Sequence, residues 1–401
     1  MSDNTNKWQE MESKYLMRTF KRVPVILERG EGVYVWDDKG NKYLDMVGGW
    51  AVNSIGHCHP VILKALNEQA AKLIQVSNQF YTIPQLELAK LLIEKSCLDR
   101  VFFCNSGAEA NEGAIKLARR YGKLHLNGAF EIITTYGSFH GRTLAMVAAT
   151  GQSKFQEPYV PLPNGFVNVE YNDIEAIKKA TNSNTCAIML EPVQGEGGVN
   201  VPEVSYLKEI RKWCDEKNIL LILDEIQTGI GRLGKMFGYE LFGVEPDIMT
   251  LAKGMGGGVP IGAILATDKA AVFTPGEHGS TFGGNPLICA TSLSVLRYII
   301  DNNLCEQAKN RGEYLKDKLN TLKTEYDFIK EIKGTGLLIG IVFTSDISER
   351  LVLKCLESRL LVNAVKPNIM RFMPPLIIEE NHIDEAVNKL KEVFETEKRN
   401  V

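Results

Sequence analysis

Between residues 100 and 290, short apolar runs alternate with stretches of helical periodicity. The runs at 101–104, 187–190, 219–223 and 248–251 are almost continuously apolar, and 131–135 carries Ile132-Ile133 followed by two β-branched threonines. A strand with one wet face alternates polar and apolar positions, so these runs predict strands covered on both faces. Such strands separated by helices predict a largely parallel α/β sheet. Upstream, 7–20 reads as a helix, and 32–36 and 42–45 flank the turn residues Asp38-Lys39-Gly40-Asn41, a hairpin signature. Helical periodicity begins at Pro60, a favoured first helical residue, and runs through Ile62, Leu63, Leu66 and Leu73. After about residue 300 the order changes: a charged helix at 306–326, strand-like pieces at 332 and 337–343, a helix, a strand ending near 373 and a last helix at 383–395. The expectation is an α/β fold with a large, mainly parallel sheet domain over 60–300. A small α+β domain over 301–401 would take in the N-terminal segment 1–59.

Composition narrows the function classes. The chain has 401 residues, 44% of them hydrophobic and 24% charged, an ordinary globular balance that supports a sizeable core. A net charge of −3, with lysines and arginines scattered, leaves no electrostatic footprint for nucleic acid and no polybasic membrane patch. The first residues lack a basic-then-apolar leader pattern, and no apolar run has the length to span a bilayer. Eight cysteines without a C-x-x-C pair read as free thiols in a reducing compartment, so the expected location is cytoplasmic.

The chemistry gathers at strand ends. The run Asn218 to Leu223 ends in Asp224-Glu225, and in open α/β sheets ligands bind beyond the carboxyl ends of strands. Asp224 therefore reads as a metal carboxylate, as the partner of a pyridinium nitrogen, or as a helix cap. The metal reading has a decoy in its favour, since Gly229 to Lys235 fits G-x-x-x-x-G-K. The next residue, Met236, has no hydroxyl for a metal, and the loop follows the strand that supplies Asp224. Gly334 to Gly340 resembles a dinucleotide fingerprint only loosely, and it precedes a strand rather than opening a helix. His57-Cys58-His59 reads as structural rather than metal-binding.

Downstream, the run 248–251 leads into Ala252-Lys253-Gly254 and a series of glycines, where a lysine reaches a ligand without obstruction. Pyridoxal 5'-phosphate (PLP) needs a lysine for its Schiff base, an acid on its ring nitrogen and a phosphate cradle. Lys253 and Asp224 are candidates for the first two. For the cradle, Asn105-Ser106-Gly107-Ala108 forms a strand-to-helix turn whose N–H groups and dipole suit a phosphate. Tyr136 to Arg142 follows the next strand and brings an aromatic ring and a cation to the same edge.

Taken together, these residues resemble the class III PLP-dependent aminotransferases, and within them the acetylornithine aminotransferases. The likeness runs from Ala51-Val52-Asn53 through Asp224-Glu225-Ile226-Gln227-Thr228-Gly229 and Lys253 to Arg371-Phe372-Met373-Pro374. It implies PLP-dependent transferase fold type I. Lys253 would anchor PLP and shuttle the proton, and Asp224 would hold the ring nitrogen. Ile226 and Phe139 would cover the two ring faces, Gln227 would approach the phenolic oxygen, and Gly107 and Ala108 would bind the phosphate. Thr281 would reach the phosphate from a second subunit, making a homodimer with shared sites. Arg371 would pair with a substrate carboxylate and be masked by Glu196 in the other half-reaction, while Arg142, with Ser280 nearby, would hold the α-carboxylate of the donor. Trp50 stands where acetylornithine enzymes carry a smaller aliphatic residue and ornithine enzymes an aromatic one. The implied reaction moves the δ-amino group of N²-acetyl-L-ornithine to 2-oxoglutarate, a step of arginine biosynthesis. Ornithine δ-, 4-aminobutyrate and succinylornithine aminotransferases stand as alternatives.

Overall fold

The computed structural model describes residues 3–398. Its largest sheet has seven strands in the order Arg100–Cys104, Gly262–Ala266, Ile248–Leu251, Leu220–Asp224, Thr185–Leu190, Glu131–Thr135 and Phe166–Val169. Gly262–Ala266 runs antiparallel to both neighbours, and the other six strands point one way. Every residue of Thr185–Leu190, Leu220–Asp224 and Ile248–Leu251 is buried. Helices cover both faces, which is why these strands read as predominantly apolar runs without a polar alternation. Because six strands share a direction, Cys104, Thr135, Leu190, Asp224 and Leu251 all end at one edge of the sheet.

Two smaller sheets lie outside this one. One is antiparallel, in the order Ile329–Thr335, Leu338–Phe343, Ile369–Phe372, Asn363–Lys366, with Gly340 facing Arg371. The other sets the N-terminal strands Leu27–Glu31, Tyr34–Asp37 and Lys42–Asp45 beside Leu360–Leu361, so the two ends of the chain share a sheet. Tyr326, Phe328 and Phe343 each meet Phe394 edge to face and close the C-terminal core.

Several sequence expectations shift. The strands Phe166–Val169 and Gly262–Ala266 escaped the apolar pattern, the first because Asn168 interrupts it, the second because Gly262, Ala263 and Ala266 carry little bulk. The first helix is Asp3–Tyr15 rather than 7–20, since Leu16, Met17 and Phe20 are exposed and bury no further face. The helix from Pro60 stops at Ala70; Leu73 lies beyond it, exposed. The early hairpin begins at Leu27 and turns twice, because Gly32 adopts φ +57 between the first two strands. Among the described residues no helix is long and apolar enough to cross a membrane.

Candidate active site

Asp224 ends its strand almost wholly buried, and its carboxylate is held from three directions. Oδ2 accepts from Asn111 Nδ2 at 2.7 Å and lies 2.7 Å from His140 Nδ1, while Oδ1 accepts from Ile226 N at 3.0 Å. Asn111 is fixed in turn: Thr250 Oγ1 donates to its Oδ1 at 2.7 Å, and its Nδ2 also reaches the His140 carbonyl at 2.7 Å. Buried polar groups cost little only when every partner is present, and here a side chain from each of four segments supplies one. Sequence reasoning missed Asn111 and His140. His140 stood in the quoted 136–142 loop, but only the fold shows that it faces Asp224.

Lys253 follows Ile248–Leu251 and begins a short 3₁₀ turn at φ +42, a left-handed conformation that costs a non-glycine residue about 1 kcal/mol. Burial pulls its ammonium below the ordinary lysine range, against the opposing pull of Glu196 and Asp224. A neutral amine is the nucleophilic form. Glu191 sits beside this pair just past the end of Thr185–Leu190 and was also missed, though an acid after a buried strand is the same signal that singled out Asp224. Burial first, and the Asp224 charge second, push Glu191 well above the ordinary carboxyl range. Its oxygens accept from Phe139 N at 3.2 Å and Gly195 N at 3.4 Å.

The strand Arg100–Cys104 turns through Asn105 and Ser106 into the helix Gly107–His125. Ser106 caps it by accepting from Glu109 N at 3.2 Å, and Glu109 reaches back to Asn105 N at 2.8 Å. A Cβ at Gly107 would meet Ile226 Cδ1 at 2.8 Å, so the turn and Ile226 approach this closely only with glycine there.

These parts surround a cavity of about 440 Å³. Gly107, Ala108, Phe139, Arg142, Glu196, Asp224, Ile226, Gln227 and Lys253 all line it, with His140 and Glu191. Arg371 sits just behind the wall. It is fully buried on Ile369–Phe372, pairs with Glu196 at 2.7 Å, and donates to Gln227 Oε1 at 3.2 Å and to Asn363 Oδ1 at 2.8 Å. Burial raises the Glu196 carboxyl, but the Arg371 and Lys253 charges more than offset it and hold it below the ordinary range. A Cβ on Gly195 would overlap Gln227 Oε1, so this contact too depends on glycine.

Three expected residues lie apart from the cavity wall. Ser280 Oγ accepts from Asn105 Nδ2 at 3.0 Å, which places it near the rim. Thr281 is exposed, with its carbonyl accepting from Gln75 Nε2 at 2.5 Å. Trp50 is half exposed and stacks on Phe20 with ring centroids 6.2 Å apart; its neighbour Val52 lines the cavity instead. Trp50 belongs to a left-handed turn in which Gly48, Gly49, Trp50 and Ala51 have φ of 55, 63, 63 and 64°. The histidines of His57-Cys58-His59 serve the scaffold: His57 Nε2 meets Asp45 at 2.7 Å, and His59 accepts from Val61 N at the start of its helix. The 229–235 loop spends its arginine on carbonyls, since Arg232 donates to Leu337 O and Pro374 O at 3.0 and 2.6 Å.

The residues present fit PLP. Gln227 Nε2 and His140 Nε2 are buried without a partner among the described residues, and both residues line the cavity. A buried donor left unpaired is costly, so Gln227 Nε2 calls for an acceptor from a bound group such as a phenolate oxygen. The helix start at Gly107, the buried acid and the buried amine meet the remaining demands of that cofactor.

Comparison with known proteins agrees. Residues 15–394 match the family model described as aminotransferase class-III. An acetylornithine aminotransferase of Caldanaerobacter subterraneus subsp. tengcongensis is 52% identical over 384 residues, which cover 96% of this chain and 98% of that protein. An ornithine aminotransferase of Toxoplasma gondii, whose crystal structure shows partial occupancy of PLP at its active site, superposes with a TM-score of 0.95 at 34% identity, over 99% of this chain and 96% of that one. The acetylornithine aminotransferase of Elizabethkingia anophelis superposes with a TM-score of 0.88 at 35% identity, over 98% and 100% of the two chains.

Proposed function

The chain belongs to the class-III aminotransferases, which are PLP enzymes of fold type I, and we propose that it transfers the δ-amino group of N²-acetyl-L-ornithine to 2-oxoglutarate in arginine biosynthesis. The observation that carries the substrate assignment is the different state of two arginines. Arg371 is already paired with Glu196 at 2.7 Å, whereas Arg142 lines the same cavity with no ion pair or hydrogen bond among the described residues. A donor that presents one carboxylate uses the free arginine and leaves the masked one alone. A 2-oxoglutarate molecule, with two carboxylates, engages both once Glu196 turns aside. The guanidinium fork suits each of these tasks.

PLP, when bound, supplies a ring that accepts the electrons left when the bond between hydrogen and the reacting carbon breaks. The rest falls to the chain. Lys253 anchors the cofactor through Nζ and carries the proton leaving the substrate carbon. Asp224 keeps the ring nitrogen protonated, and His140 and Asn111 keep Asp224 in place. Phe139 and Ile226 cover the ring faces, Gln227 donates to the phenolic oxygen, and Gly107 and Ala108 offer backbone N–H groups to the phosphate. Ser280 assists Arg142 at the rim, and Trp50 shapes the entrance from its stack with Phe20. Glu196 keeps Arg371 from capturing the donor carboxylate in the wrong sense.

A homodimer with shared sites belongs to the same proposal, as do a cytoplasmic location and a small domain that unites 1–59 and 301–401 against a large domain at 60–300. Thr281 of a second copy reaches the phosphate. In support, Gln75 and Asn78 hold the 280–283 loop, and Phe80, Tyr81, Ile83 and Phe282 on this side are exposed apolar residues, Tyr81 to 93%. Apolar clusters of that kind mark interfaces. Light scattering that found only monomer at micromolar concentration would remove this part.

The substrate test is a set of initial rates with acetylornithine, ornithine, succinylornithine and 4-aminobutyrate against 2-oxoglutarate. Acetylornithine is expected to give the highest kcat/KM. A higher value for free ornithine would overturn the assignment in favour of an ornithine δ-aminotransferase.

A further inference from the structure

We propose that Phe155 is a positioning residue that holds Arg142 open to a substrate carboxylate, so that the donor is read by an arginine braced on aromatic rings rather than on an acid. The inference rests on Arg142 as the donor's carboxylate site and adds the residue that makes it ready.

The Arg142 guanidinium carbon lies 4.0 Å from the centroid of the Phe155 ring and 5.5 Å from that of Phe139. The two rings meet edge to face, 5.8 Å apart at 76°. A guanidinium stacked on a ring gives up its flat face and keeps its in-plane N–H donors. An arginine paired with an internal carboxylate has spent those donors and must break the pair before it binds a ligand. Arg371 is in that second condition. Phe155 keeps Arg142 in the first.

Phe155 is itself held. It lies on the short helix Ser153–Gln156, its N–H donates to Gln152 O at 2.9 Å, and Gln152 Nε2 donates to Ser138 O at 2.8 Å. Ser138 adjoins Phe139, whose N–H is bound to Glu191, so the ring that braces Arg142 hangs from the loop that carries Phe139. Two further cations stand here: Lys154 Nζ lies 4.7 Å from the Phe155 centroid, and Lys366 Nζ is 3.3 Å from Gln152 Oε1. Their field draws a carboxylate toward the same mouth.

The test uses the holoenzyme and N-acetyl-L-norvaline, which is acetylornithine without its reacting amine, so that binding is measured by calorimetry apart from turnover. Phe155→Leu is expected to weaken it about tenfold, and Phe155→Trp to keep the wild-type affinity. In single turnovers Phe155→Leu raises the half-saturating concentration of acetylornithine by about the same factor with its limiting rate unchanged. The decarboxylated donor, N-acetyl-1,4-diaminobutane, is unaffected. Should Phe155→Leu fail to fold, Phe155→Met carries the same comparison, since it keeps bulk without a ring. Wild-type affinity in the folded leucine or methionine variant, or equal losses with both donors, would overturn the role of Phe155 and leave the donor assignment standing. If the wild-type protein binds N-acetyl-L-norvaline no better than N-butylacetamide, which lacks the carboxylate as well as the amine, the donor assignment fails, and this inference with it.

Discussion

The two halves of the cavity are built on opposite plans. On the cofactor side, Asp224, Asn111, His140 and Thr250 form a closed set of 2.7 Å contacts, three of them on strands or a helix of the main sheet layer. On the substrate side, Arg371 rests on Glu196, which is about one-third exposed and sits in the loop after Pro192. In the first arrangement, moving any member strands a further buried polar group, which makes displacement costly. The second has a partner that solvent can receive, so the pair can open. A ring that must stay put for every substrate is served by the first plan. The arginine proposed to be hidden for one substrate and offered to another is served by the second.

The sharpest break of this contrast is Lys253→Ala. Removal of the proposed covalent anchor and proton carrier is expected to cost about 10³-fold or more in turnover with every donor and acceptor alike. The visible Schiff-base band and the borohydride-reducible adduct on the chain should vanish together. A surviving adduct would relocate the anchor. Next in size, Arg371→Ala should raise the half-saturating concentration of 2-oxoglutarate about 10²-fold while acetylornithine single turnovers hold their rate. Equal damage to both half-reactions would mean that the substrate side is as rigid as the cofactor side. The smallest effect is expected from Asn111→Ala, which removes three hydrogen bonds, to Asp224, the His140 carbonyl and Thr250. It should lower kcat about tenfold for all donors without changing the ranking among them. A change in that ranking would show that the two halves are coupled.

Much of this layout was legible in the chain. Asp224, Lys253 and the Gly107 turn each follow a buried strand, and continuous apolar runs ending in a polar residue announce such positions without any knowledge of neighbours. The predicted runs at 131–135 and 248–251 coincide with the strands Glu131–Thr135 and Ile248–Leu251, and the runs at 101–104, 187–190 and 219–223 fall within one or two residues of theirs. Gly262–Ala266 was not legible, because its pairing across 158 residues with Arg100–Cys104, not its own composition, makes it a strand (Gly262 faces Cys104). Asn111 was hidden for a related reason. It lies inside a helix, where polar residues ordinarily face water, and its partner Asp224 is 113 positions away.

The sequence alone therefore determined the local period of most elements and, through the parallel strands that it announced, which residues stand at one edge of one sheet. Those are consequences of nearest-neighbour geometry and of which faces are dry. Only the tertiary structure decided how those residues meet: that His140 and Asn111 grip Asp224, that Glu196 occupies Arg371, and that two phenylalanines leave Arg142 free. Such contacts join segments far apart in the chain, and a side chain's partner is set by the packing of whole elements, which no local pattern encodes.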